Sequence, residues 1–460
     1  MAGGPLARPA GRSHLADCLA RRQALLEADR DALLAHAREA SAQTHETLQA
    51  WVELPDFDAL EAAWQRRVRE EPAPCGLLAG VPLAVKDIID LAGLPTRAGS
   101  RSRADAPPAD RDAGVVQQLA KQGALPVGKT TTAEFAYLDP PPTTNPFNPA
   151  HTPGGSSSGS AAIVGAGVVP LALGTQTAGS VCRPAAFCGV YAFKPSTGRT
   201  APDGVLPFAP SFDTVGVMGL NLEQVLVAGE ILTGPPAALQ AGADSQADRK
   251  PAGGLRIVTI ADGYYQAIAQ DCQDQIARAR EILLADGHAF DELTLGVDFA
   301  ALRDAHRLMM HVEAHQSHPD ILDVSPHLLG ANWRSALVRG AGFSDSDYRQ
   351  ASDELAEARR TILGKLAGYD LVLVPPIYAT APASTGSTGD AGLIIPWTYV
   401  GSPLVVMPTG LSDEGLPLAI MFAGQPGNDR QTIAWCRAVG ARLAGQGLAI
   451  DRVQALPGRS

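Results

Sequence analysis

Cysteine is scarce and scattered in this chain. The six cysteines, Cys18, Cys75, Cys182, Cys188, Cys272 and Cys436, include no Cys-x-x-Cys pair. In 460 residues that spacing excludes a disulfide framework and implies reduced, buried thiols. Long hydrophobic runs are also missing. The longest, residues 161–173, is too short and too glycine-rich to span a bilayer. The opening residues, Met-Ala-Gly-Gly-Pro-Leu-Ala-Arg, lack an apolar segment of signal-peptide length. Positive charge is in deficit: Lys and Arg total 37 against 48 Asp and Glu, giving a net charge of −11. Cations are interleaved with acids, as at Arg21 and Arg22 beside Glu27, Asp29 and Asp31, which argues against a nucleic-acid surface. Glycine and proline are plentiful but spread along the chain, unlike a disordered tail. The balance describes a cytoplasmic globular protein with neither membrane nor nucleic acid as partner, and a homodimer is the expected assembly.

The apolar fraction of 45% is enough for a substantial core. Helical spacing of Leu15, Cys18, Leu19, Leu25, Leu33 and Leu34 predicts helices through residues 13–70, broken near Leu54-Pro55. Residues 80–90 change to strand character, followed by a helix over 115–123 and a strand over 125–129. Beyond a Pro/Asn/Thr loop at 139–155, a helix over 160–166 and a buried strand over 168–173 are expected. Short strands near 192–198 and 212–218 precede a helix capped by Asn221 and a surface connection at 234–252. Further strands are predicted at 255–260, 371–375, 404–408 and 418–422. They alternate with helices at 265–287, 299–317, 345–366 and 428–443. This rhythm gives an α/β class, a single large domain with a central mixed β-sheet covered by α-helices. Residues 1–75 form a helical segment packed on the domain spanning 76–460, which carries a variable helical region about 265–370.

Three segments carry chemistry. Thr152-Pro-Gly-Gly-Ser-Ser-Ser-Gly-Ser-Ala161 and Gly174-Thr-Gln-Thr-Ala-Gly-Ser-Val-Cys-Arg-Pro184 are small-residue turns separated by an apolar stretch. Gly80-Val-Pro-Leu-Ala-Val-Lys-Asp87 ends an apolar run in a lysine. A flexible linker is the plain reading of the serine–glycine run, but it is short and leads into a helix. A phosphate loop would need Gly-Lys-Ser/Thr where Ser158-Gly159-Ser160-Ala161 stands. A Ser-His-Asp triad lacks its histidine apart from His151, and no Gly-x-Ser-x-Gly elbow surrounds Ser180. Serine as nucleophile, lysine as base and glycine-rich backbone as oxyanion site together suggest acyl transfer. Lys86 could serve as a base only if burial made it neutral; otherwise it is a strand lysine reaching water.

These residues closely resemble the amidase signature family over about 75–220, with the signature core about 80–220. Within that family the resemblance is to bacterial malonamidase-like members. Trp397-Thr-Tyr-Val-Gly-Ser-Pro403 is similar as well. The resemblance implies a serine–cis-serine–lysine triad: Ser180 as nucleophile, Ser156 bridging beside a cis peptide, and Lys86 as base. It implies an oxyanion site from Thr177, Ala178, Gly179 and Ser180. Gln176 and Ala178 depart from the Asp and Gly that many members carry. Arg183 either pairs with a substrate carboxylate or bonds local carbonyls.

The implied activity is hydrolysis of a small-molecule amide, anilide or carbamate, with ester cleavage alongside and no metal or organic cofactor. One alternative is the glutaminase subunit of a tRNA-dependent amidotransferase, whose usual loop resembles Gly-Ser-Asp-Thr-Gly-Gly-Ser-Ile-Arg-Gln. Another is a small-acid amidase using Arg183, and a third is a non-catalytic scaffold. Elsewhere, His311 and His315 lie at i and i+4, but the Glu is misplaced for a His-Glu-x-x-His zinc site. Met309, Met310, Trp333, Trp397 and Tyr399 line a pocket or fill the core.

Overall fold

The computed structural model describes residues 11–29, 32–70, 76–234 and 254–450. Ten strands are found there: β1 (Pro82–Lys86), β2 (Leu125–Thr130), β3 (Leu171–Gln176), β4 (Tyr191–Lys194), β5 (Thr214–Gly219), β6 (Arg256–Ile260), β7 (Ala289–Leu293), β8 (Leu371–Val374), β9 (Leu404–Leu411) and β10 (Pro417–Ala423). They make one sheet in the order β2-β1-β3-β5-β4-β9-β10-β8-β6-β7. Pairing is parallel at both ends (β2-β1-β3 and β8-β6-β7) and antiparallel between, so the sheet is mixed. Every residue of β1, β3, β4, β5 and β10 is buried, the signature of strands covered on both faces by helices. This is the single α/β domain expected from the sequence.

The register of β1 on β3 decides where chemistry can occur. Leu83 pairs with Leu171, Ala84 with Ala172 and Val85 with Leu173, so both strands run out side by side toward Lys86 and Thr175. The strand expected at 168–173 starts at Leu171 and continues to Gln176. Pro170 has no N–H to give the ladder, so pairing begins after it.

The N-terminal helices Gly11–Glu27 and Leu33–Leu48 are fastened at one turn. Arg22 donates to the carbonyls of Gly165 and Gly189, Arg21 to that of Ala166, and His36 Nε2 lies 2.7 Å from that of Gly167. Gly165 is the last residue of the helix Ser158–Gly165, Ala166 is its C-cap and Gly167 follows it, so these oxygens have no partner within the helix. Cationic groups at a helix C-terminus also suit its dipole.

The expected helix at 265–287 is interrupted. It forms as Gly263–Gln266 and Gln270–Ala285, because Ala269 N–H donates to Tyr378 O at 2.7 Å instead of to the preceding turn. Asp298 caps the following helix, Phe299–Ser317, by accepting from Ala300 N–H and Ala301 N–H. Helices Cys182–Phe187, Ala331–Gly342 and Ile395–Val400 had no clear periodicity in the sequence. Cys75 and nearly all of the connection expected at 234–252 lie outside the described residues. Among the described residues no helix is long and apolar enough to cross a membrane.

Candidate active site

The serine–glycine run is buried throughout, which no linker would be. Each hydroxyl is spent on a specific partner. Ser156 Oγ lies 2.7 Å from Lys86 Nζ, and Ser157 Oγ bonds both the N–H and the carbonyl of Thr175. Ser158 donates to Gly154 O, while Ser160 donates to Leu173 O and lies 2.8 Å from Thr130 Oγ1. Glycine is needed at three points. Gly154 has φ of +79°, a Cβ on Gly155 would stand 2.6 Å from Thr388 Cγ2, and a Cβ on Gly159 would stand 2.5 Å from Thr131 N and 2.6 Å from Ala50 O. The Gly155–Ser156 peptide is cis.

Lys86 and Ser156 are fully buried, each at 0% exposure, whereas Ser180 retains 8%. Lys86 Nζ touches Ser156 Oγ and, at 2.8 Å, Thr175 Oγ1. Burial pushes its pKa well below the usual lysine value, with the charge of Asp213 opposing. Burial without a carboxylate partner among the described residues favours the neutral amine, the state a base requires. Among the described residues no hydrogen bond joins Ser180 Oγ to Ser156 Oγ; Ser180 is the more accessible of the two serines.

After β3, the backbone turns sharply through Thr177, Ala178, Gly179 and Ser180. No backbone carbonyl among the described residues takes the N–H groups of these four. The next two donors are occupied: Val181 N–H and Cys182 N–H both point at Gln176 Oε1, 3.0 Å away. Gln176 also donates from Nε2 to Thr398 Oγ1 at 3.0 Å. Aspartate, the common residue here in the resembling family, could accept but not donate. Thr177 Oγ1 donates to Asp213 Oδ1, while Asp213 Oδ2 accepts from Phe208 N–H and Ala209 N–H. The Thr177 carbonyl lies 3.0 Å from His306 Nε2, and the Ala178 carbonyl accepts from Thr398 Oγ1 at 2.6 Å.

Arg183 is buried and its guanidinium is turned toward backbone. Nη1 donates to Gly389 O at 2.8 Å, and Nη2 donates to Gly155 O at 2.6 Å and to Thr388 Oγ1 at 3.2 Å. Burial lowers its pKa to about 10, so it stays charged at neutral pH. Two of its acceptors are carbonyls of the chain itself, and one belongs to the cis peptide.

Other singled-out residues fall elsewhere. His311 Nε2 lies 2.9 Å from Tyr137 Oη, and His151 Nδ1 lies 2.7 Å from Ala381 O. Met309, Met310, Trp333, Trp397 and Tyr399 are buried in the core. No local pattern announces His306 or Asp213 at this site, and nothing within the Trp397–Pro403 segment gives Thr398 its role there. Thr175 lies inside a conspicuous motif, but its role depends on the β1–β3 register. His306 and Thr398 approach from 129 and 220 residues away.

Comparison with known proteins identifies the family. The family model described as Amidase matches residues 32–433. The chain is 29% identical to one subunit of the glutamyl-tRNA(Gln) amidotransferase of Oceanobacillus iheyensis, over 83% of this chain and 86% of that one. It is 30% identical to AtzE, the 1-carboxybiuret hydrolase subunit of a Pseudomonas species, covering 86% and 89%. Among solved structures, the native peptide amidase of Stenotrophomonas maltophilia superposes with a TM-score of 0.76 at 26% identity, covering 97% and 100%. A crystal structure described as an amidase gives 0.78 at 27%, covering 92% and 99%.

Proposed function

This chain belongs to the amidase signature family, hydrolases of C–N bonds, and we propose that it cleaves a neutral small-molecule amide, anilide or carbamate through an acyl-enzyme on Ser180. One observation carries the reading: a fully buried lysine 2.7 Å from the hydroxyl of Ser156, with burial favouring its neutral form. With one N–H given to Thr175 Oγ1, the amine of Lys86 keeps its lone pair for the Ser156 proton. Ser180 Oγ attacks the carbonyl carbon, its proton moves to Ser156, and the proton of Ser156 moves to Lys86. The negative oxygen is received by the free N–H groups of Thr177, Ala178, Gly179 and Ser180. Collapse breaks the C–N bond, and the proton returns through Ser156 to the departing amine. Water then releases the acid by the same relay. Ester cleavage follows from the same steps, since an alkoxide leaves more readily than an amine.

Occupation of Arg183 by Gly155, Thr388 and Gly389 favours neutral substrates over small acids. It supports a positioning role in which Arg183 holds the cis peptide that carries Ser156. The partner-bound glutaminase is a second reading, because an amidotransferase relative aligns over 83% of the chain. The test is the purified chain alone, given an aryl carbamate, an anilide, malonamate and glutamine, each beside Ser180→Ala. Turnover of the aryl substrates, abolished in Ser180→Ala, is the expected outcome. Hydrolysis confined to glutamine, or silence until a partner is added, would replace this reading with the amidotransferase one.

A further inference from the structure

We propose that His306 and Thr398, from helices far outside the serine-rich motifs, are positioning residues that aim the oxyanion donors. The inference rests on the acyl-enzyme reading above. A trans peptide is a rigid plane whose C=O and N–H point in opposite directions. Fixing the carbonyl of Thr177 therefore fixes the N–H of Ala178, and fixing the carbonyl of Ala178 fixes the N–H of Gly179. Each of these carbonyls has a dedicated buried donor. His306 Nε2 lies 3.0 Å from Thr177 O, and Thr398 Oγ1 lies 2.6 Å from Ala178 O. Two consecutive planes of the loop are thus clamped from behind, with their N–H groups left facing the reacting centre.

Tautomer and chain of bonds both fit. A carbonyl only accepts, so His306 carries its proton on Nε2. Burial keeps the ring neutral, with its pKa lowered to about 4, so the bond is present across the working pH range. His306 Nδ1 has no hydrogen-bond partner among the described residues, and the ring rests on Phe212 at a centroid distance of 4.4 Å. The one hydrogen bond that this buried imidazole makes among the described residues goes to the Thr177–Ser180 loop; a leucine would fill the same space without it. Thr398 is itself oriented by Gln176 Nε2, whose Oε1 gathers Val181 N–H and Cys182 N–H. Gln176 therefore ties the start of the loop, its middle and the following helix into one unit. The glutamine departure from the family pattern and the Thr398 contact belong to one arrangement.

Four variants test this: His306→Leu, His306→Gln, Thr398→Val and Thr398→Ser. Each is assayed for kcat and KM on an anilide and for inhibition by an aryl boronic acid, whose tetrahedral adduct on serine engages the oxyanion donors. Loss of a single oxyanion donor costs about 10²–10³ in kcat, so a mis-aimed one should cost roughly 10–100-fold. His306→Leu and Thr398→Val are expected to lose that factor in kcat, with KM within about 3-fold and boronate affinity falling in parallel. His306→Gln and Thr398→Ser keep a donor and should recover most of it at matched thermal stability. Equal loss in the donor-keeping and donor-free variants, or loss borne by KM with boronate affinity unchanged, would overturn the inference. If His306→Leu does not fold, the Thr398 pair carries the same comparison. Activity surviving in Ser180→Ala would instead remove the acyl-enzyme reading itself, so the two failures are separable.

Discussion

Replacing Arg183 separates a substrate clamp from a structural brace. In Arg183→Met, the carbonyls of Gly155 and Gly389 and the hydroxyl of Thr388 lose their donor. Leaving a buried polar group unpaired costs about 1–3 kcal/mol, so two carbonyls together cost about 2–6 kcal/mol. Removing a buried guanidinium also removes its own desolvation penalty, which places the net loss near the lower end, about 2–3 kcal/mol. Release of Gly155 O also frees the peptide that positions Ser156. A misplacement of about 1 Å costs on the order of 10²-fold in rate. Arg183→Lys keeps the charge but not the fork, and cannot serve Gly155 and Gly389 together. The assay is kcat and KM on a neutral anilide and on malonamate, with thermal unfolding alongside. The account predicts a lower Tm and a fall in kcat that is the same, within about 3-fold, for both substrates. A clamp on a substrate carboxylate would instead cost about 2–5 kcal/mol on malonamate alone, roughly 30-fold to several thousand-fold, with the anilide spared. That selective loss would refute the reasoning.

Three further outcomes follow. Lys86→Met should abolish turnover yet raise stability at neutral pH. The folded-state pKa of Lys86 lies below its unfolded value, so the unfolded chain binds more protons between the two. Wild-type stability attributable to Lys86 therefore grows as pH rises through that window, and the Tm gap between variant and wild type should narrow toward the ordinary lysine pKa of about 10.4; a gap independent of pH would contradict the neutral-lysine assignment. For the same reason kcat/KM should rise with pH on its acid limb and hold a plateau through neutral pH, as a neutral base requires; a rise starting only near about 10.4 would mean the amine is charged. In Gly179→Ala the new methyl would stand 2.8 Å from Ala391 Cβ and 3.2 Å from Ile394 Cδ1, so the loop must shift. We expect roughly a tenfold fall in kcat with little change in Tm, and unchanged kcat would show that the loop tolerates displacement.

How far the sequence could be read depended on whether a feature was local. The apolar runs of β1 and β3 identify themselves, and the serine–glycine and Gly174–Pro184 motifs are dense enough to mark the site. The start of β3 shifted because Pro170 cannot join a ladder, a rule legible in the sequence but outweighed by the valines before it. The break at 267–269 was not legible, since it depends on the Tyr378 carbonyl, which lies far along the chain. The same applies at the site. Lys86, Ser156 and Ser180 sit in motifs; Thr398 lies in the Trp397–Pro403 segment, but it acquires its role, like the helix residue His306, only when the fold brings it to the loop. For Arg183 the sequence offers both a substrate carboxylate and local carbonyls, and cannot choose between them because the carbonyls of Gly155 and Gly389 are brought to it by tertiary contacts. Trp333 and Trp397 show the converse: aromatic residues that could have lined a pocket are simply core.

The most direct test of the central claim is intact-protein mass spectrometry during turnover of a slow aryl ester, followed by peptide mapping. The account predicts a transient adduct with the mass of the acyl group on the peptide containing Ser180, absent in Ser180→Ala. In Lys86→Met it should form far more slowly. Turnover with no adduct at any time, or an adduct on a residue other than Ser180, would contradict it.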